Sequence, residues 1–467
     1  MGDCLAGALI TCVLTAVLVV AVGAVSPTQA TPTRPTVRLD LTRVPGHLPP
    51  DAQLRFIAGR SFFKRPWVQS GATTTLRDGL GPHYSARSCA GCHVGAGRSS
   101  PVGSSPDSPA FDPEFADVSA TRLMARFDAT ENAAAFLPLG TTWQAFSTTR
   151  TTPRTLSGVE GQLQLRYTRT SWRYPDGRRV IGHRPDYRLS GAPPASAAPA
   201  VLSVRIAPSL ELAARIEQVS NQSIVALADP SDLNKDGISG RIHPRLARAG
   251  WPQAGRFGLK ARHPTLRHQV AAALQEDLGI TSSLFPEEAC APSQAACLAA
   301  PNGRGASVGG RQSGQAPDDY EISDQLLDQL VTFLMQIESP APPPPQTQGH
   351  AIFTRIGCAQ CHVPTLAAPV GNLRLFSDLL LHDMGDGLAD HGPGAGELAR
   401  EWRTAPLSKL RLRTQLTATA NYLHDGRATT IEQAVLWHGG EAQQSRQRFS
   451  GLSATNRKLL INYVGSL

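Results

Sequence analysis

The pentapeptide Cys-Ala-Gly-Cys-His at residues 89–93 returns as Cys-Ala-Gln-Cys-His at 358–362. Cysteines three apart share one face of a helical turn, where their thiols reach the two vinyl groups of a porphyrin, and the next residue turns an imidazole toward the iron. Each stretch therefore has the form of a covalent haem-attachment motif, with Cys89, Cys92, Cys358 and Cys361 as thioether donors and His93 and His362 as proximal iron ligands. A single four-cysteine zinc site is the competing use of two such pairs. Zinc pairs usually lie close together in sequence, however, and zinc gives no reason for a histidine after each pair.

Other residues could complete or surround such sites. An electron-transfer haem benefits from a sixth ligand, and a thioether favours ferrous iron and raises the potential. Met384 lies in a Gly/Asp-rich stretch after the second motif and is the expected distal ligand there, with His382 as the alternative; Met335 sits in an apolar helical stripe and reads as core. Trp251 and Trp402 read first as buried packing and second as electron relays. Asp232, Asn234 and Asp236 alternate ahead of Gly237 like the first half of a calcium loop. His243 stands where an EF-hand has its bidentate Glu, so calcium competes there with an Asx-rich turn. Cys290 and Cys297 form a close pair outside the motifs, and an oxidising compartment would keep them as a structural disulfide.

The elements that must position these residues are mostly helical. Ser209 to Ala228, Leu266 to Leu278 and Asp324 to Ile337 place apolar residues at helical spacing. Gln162 to Ile181 alternates apolar and polar residues and turns at Tyr-Pro-Asp-Gly, 174–177, which predicts a hairpin. The fold class expected is mainly α with small β-hairpin insertions and long loops. Residues 1–30 carry an apolar run from Ala6 to Val25 and no Lys or Arg, which predicts a signal peptide or, lacking the usual basic start, a membrane anchor. A Pro-rich linker at 340–348 divides an N-terminal region, 31–339, from a C-terminal one, 349–467. The 467-residue chain has 45 basic and 37 acidic side chains, a net charge of +8. No dense basic run or aromatic platform points to nucleic acid; the charge suits an acidic electron donor or an anionic membrane face.

Further strings point one way: Asp-Gly-Leu-Gly-Pro at 78–82, Asp-Gly-Ile-Ser-Gly-Arg at 236–241, Leu-His-Asp-Met-Gly at 381–385, Glu-Trp-Arg-Thr-Ala-Pro-Leu at 401–407, Tyr-Leu-His-Asp-Gly-Arg-Ala at 422–428 and Trp-His-Gly-Gly-Glu-Ala at 437–442. Together with the motifs, they make the chain resemble the bacterial di-haem oxidoreductases, which are similar in turn to di-haem cytochrome c peroxidases. The resemblance implies two cytochrome c-like haem domains with two covalently bound c-type haems in a periplasmic or otherwise exported redox protein. It implies electrons arriving from a small redox protein or cytochrome at the C-terminal haem, then passing to an N-terminal haem that meets hydrogen peroxide. It also raises the expectation of calcium. A peroxide-reducing iron needs an open distal position and a polar group to move a proton; Glu160 and His183 are the candidates, with His83 and Tyr84 nearby in sequence. His424 and His438 could bind haem propionates or hold their loop. The competing reading is a di-haem electron carrier without catalysis.

Overall fold

Each Cys-x-x-Cys-His stretch follows a helix that crosses a second helix from later in the chain. In the computed structural model the Pro50–Lys64 helix, opening on a proline whose missing N–H is not needed at a helix start, packs against Asp324–Met335. Thr347–Arg355 packs in the same way against Ala454–Ser466. Both crossings bring backbones together at a glycine: a Cβ on Gly59 would lie 2.2 Å from the Gln329 carbonyl oxygen, and one on Gly349 2.2 Å from Tyr463 Cβ. Aromatic rings fill the flanks, Phe56 and Phe63 at 4.9 and 5.1 Å from Phe333, and Phe353 at 5.6 Å from Tyr463. The first core takes in Cys89 and Ala90 at its margin, the second Cys358 and Ala359.

The structure describes residues 39–467 apart from 75, 100–115, 118–122, 128–141, 143, 148–161, 191–201, 248–252, 291, 293, 304–319, 339–346, 391–396 and 417–419. The leader expected at 1–30, most of the Pro-rich linker, Trp251 and Glu160 lie outside the described residues. No described helix is long and apolar enough to cross a membrane. Residues 38–467 form one compact unit.

The expected mainly α class is corrected by the strands: helix takes 35% and strand 16% of the described residues. The hairpin is larger than a small insertion, with 12-residue strands Gln162–Arg173 and Arg179–Ser190 that pair along their whole length. Ala116–Asp117 adds a third strand. Leu123–Phe127 pairs with Leu202–Ile206, and these strands share a separate core with Leu163 and Leu165. Every residue of Leu202–Ile206 is buried. A strand covered on both faces shows no alternation, and its partner lies far away in sequence, so local periodicity does not reveal it.

Candidate functional site

The second motif opens on a largely apolar cavity. Cys358, Cys361 and His362 line it together with Phe353, Leu388, Leu407, Phe449 and Val464. His362 donates its Nδ1–H to the backbone carbonyl of Phe376 at 3.0 Å. Because a carbonyl only accepts, the proton is on Nδ1 and the Nε2 lone pair is left over, which is the tautomer a metal-ligating imidazole needs. Burial pushes the ring's pKa down to about 4, so it is neutral at physiological pH. Burial likewise pushes the Cys358 thiol up to about 12.

Met384, His382 and His438 line the same cavity. Both ring nitrogens of His382 are engaged, Nδ1 with Glu441 Oε2 at 2.6 Å and Nε2 with Asp378 Oδ2 at 2.8 Å. Burial alone would lower its pKa, but the hydrogen bonds to Asp378, Cys361 and Glu441 raise it to about 12. As an imidazolium it has no lone pair to offer iron. His438 shows the opposite pattern: it follows the Ile431–Trp437 helix and donates Nδ1–H to the Ala434 carbonyl at 2.8 Å, which leaves the Nε2 lone pair, and burial lowers its pKa. The sequence flagged His438 inside a family-like string; the tautomer that leaves its Nε2 lone pair open depends on the fold.

Trp402 is packed as a structural tryptophan. Its indole N–H donates to the Leu388 carbonyl at 2.8 Å, His424 stacks on it at 3.8 Å and 9°, and Lys260 Nζ lies 3.6 Å from its ring centroid. Lys260 in turn pairs with Asp390 at 2.9 Å, both side chains 1% exposed.

The first motif buries the same residue types. Ser88 caps the Cys89–Cys92 turn by accepting the Gly91 N–H. Burial pushes Cys89 up to about 12 and His93 down to about 4, and Phe63 lies 6.5 Å from the His93 ring. The proton-transfer candidates are scattered. His183 stands on the long hairpin with Tyr167 edge-on at 6.2 Å, and it is not among the residues lining the second cavity. His83 and Tyr84 pair with Ser147 and Phe146 in a short sheet.

Asp232, Asn234 and Asp236 form a self-bonded turn. Asp232 accepts the N–H groups of Asp236 and Gly237, Asn234 that of Asp236, and Asp236 that of Ile238. Gln360, inside the second motif, donates to Asp236 at 3.4 Å. Cys290 and Cys297 are disulfide-bonded with their Cα atoms 5.8 Å apart.

Residues 40–467 match the family described as di-haem oxidoreductase, putative peroxidase. The chain belongs to the di-haem oxidoreductase family. An oxidoreductase role and haem cofactors follow from that membership. The residues of the second site fit a haem: two cysteine thiols and a neutral imidazole of the required tautomer meet one apolar cavity. No curated relative matches the chain. Among solved structures, a chain of Kuenenia stuttgartiensis hydrazine synthase pressurised with 20 bar xenon is 20% identical over 32% of this di-haem oxidoreductase, with a TM-score of 0.22. The match spans 57% of that chain's length and carries no argument.

Proposed function

We propose that the protein is an exported, peroxidase-like di-haem c-type oxidoreductase. Electrons enter at the site of Cys358, Cys361 and His362 and pass to the site of Cys89, Cys92 and His93, where hydrogen peroxide is reduced to water. The observation that carries this reading is the second cavity, onto which two thiols and a pinned imidazole converge. A haem held there by Cys358, Cys361 and His362 would supply a one-electron couple. The chain's own residues fix the His362 tautomer through Phe376, provide the covalent anchors and line the pocket with apolar groups that exclude water.

Two side chains of the cavity can supply the sixth ligand. Met384 is the thioether that the sequence favours; His438 is the second reading, favoured by its pinned Nδ1 and open Nε2. The electron donor in this proposal is a small acidic redox protein or cytochrome, matched to the net charge of +8. For Asp232, Asn234 and Asp236 the turn reading accounts for the backbone N–H groups they accept; calcium is the alternative, checked by titrating CaCl2 against thermal stability.

The test is to express the protein with c-type haem maturation, count haems by pyridine haemochrome, record the carbon monoxide spectrum of the reduced form and follow peroxide turnover with a reduced cytochrome donor. Two haems, one binding carbon monoxide, with peroxide turnover are expected. Fewer than two haems would sink the reading. Two haems that never bind carbon monoxide and never turn over peroxide after reductive activation would leave an electron carrier.

A further inference from the structure

The second cavity is apolar along most of its wall but strongly cationic in part. Among the described residues four arginines line it, Arg98, Arg403, Arg413 and Arg446, and the one carboxylate is Glu441. Glu441 is already committed to His382 and Ser239. Two of the guanidiniums are held by a single short segment: Arg98 donates Nε–H to Asn421 Oδ1 at 2.9 Å and Nη2 to the Leu423 carbonyl, and Arg413 donates Nη1 to the Asn421 carbonyl at 2.9 Å. Arg98 is 8% exposed. The groups facing the pair are Glu211, Asp425 and Tyr422. Glu211 is itself buried, which raises its pKa, and Asp425 is bonded to Arg427. Arg98 is buried and Arg413 half-buried, and their two like charges, offset in part by Glu211 and Asp425, favour an anionic ligand beside them.

We propose that Arg98 and Arg413 receive the propionate carboxylates of the haem at the second motif. Planar guanidinium forks match carboxylates in both charge and geometry. Arg98 lies five residues beyond His93 in the sequence. The segment that leaves the first motif therefore reaches into the second cavity, and its path is fixed on the way: Leu210 donates to the Ala96 carbonyl and Ser99 to that of Ala207. The stretch from His93 to Arg98 then joins one haem site to the porphyrin edge of the other through a short run of covalent bonds and one charge-assisted contact.

The inference rests on a haem filling the second site, which haem counting checks separately. The experiment uses holoprotein of the wild type, Arg98→Gln, Arg98→Lys and Arg413→Gln, and measures the midpoint potential of each haem by spectroelectrochemistry between pH 5 and 8. Removing a cation beside the porphyrin favours ferric iron and frees a propionate to titrate. With two haems bound, either Gln variant should shift the second haem about tenfold toward the ferric form at fixed poise, equivalent to about 59 mV, and its potential should fall further as pH rises. Arg98→Lys should restore most of the loss. Resonance Raman bending modes of the wild-type propionates, which need no variant, should report hydrogen-bonded carboxylates. Unchanged potentials and pH profiles in the Gln variants, or free-carboxylate modes in the wild type, would overturn the inference. Fewer than two haems in the wild type would instead remove the reading beneath it.

Discussion

At the scale of single residues, the histidines of the second cavity differ in what holds their Nδ1. His362 and His438 give that proton to backbone carbonyls, whereas His382 is gripped by two carboxylates. A side chain's partners thus decide whether an imidazole can bind iron, and no spacing rule anticipates them. We expect Met384→Leu to convert the ferric second haem from low spin to high spin in its absorption and electron paramagnetic resonance spectra, with His438→Leu leaving both unchanged. The reverse outcome would give the sixth position to His438. Away from the haem sites, Glu321 accepts N–H groups from Thr281 and Gly303 in a buried setting. Burial first, then the charge of Glu288, pushes its pKa up to about 7 from an ordinary 4.5. The folded state therefore keeps a proton that the unfolded chain has released, so stability falls as pH rises from about 4.5 to about 7, by about 3 kcal/mol in all. Glu321→Gln should flatten that part of the curve of thermal midpoint against pH; an unaltered slope would assign the pH dependence elsewhere.

At the scale of elements, the legible helices are those whose ends are marked as well as their faces. Thr265 caps Leu266–Leu278, which stops at Gly279 in the left-handed region, φ 71°, and Ser323 caps Asp324–Met335. The periodicity from Ser209 to Ala228 predicts one helix, but the chain breaks it into Ala213–Gln218 and Asn221–Val225. The break is made by Ser220, whose hydroxyl caps the second turn while its N–H goes to Ala367. That distant partner cannot be read locally. The two helix crossings carry the sharpest packing demand. Gly59→Ala and Gly349→Ala each place a methyl group inside another helix, and each should lower stability by about 1–3 kcal/mol or more. Thermal unfolding of the holoproteins checks this, and a wild-type midpoint in either variant would mean that the crossing relaxes freely.

At the scale of the whole molecule, the net charge of +8 predicts that turnover with an acidic donor slows as ionic strength rises from about 0.01 to 0.15 M, because the screening length shrinks from about 30 to 8 Å. Rates indifferent to salt would detach the donor from the basic surface. The chain by itself determined where the two candidate sites lie and which family it belongs to, because a Cys-x-x-Cys-His stretch places all its reactive groups within about one helical turn. It also contained the helices Leu266–Leu278 and Asp324–Met335, through caps and apolar stripes, but not the helices that directly precede the motifs. Only the tertiary structure decided which histidines keep a lone pair for the cavity, how large the β part is, and that Arg98, from the first motif's own segment, meets Arg413 beside the second. The physical reason is distance along the chain. A motif acts through neighbours in sequence, whereas cavity walls, strand pairs and buried charges are assembled from residues hundreds of positions apart, and their partners exist only once the chain has folded.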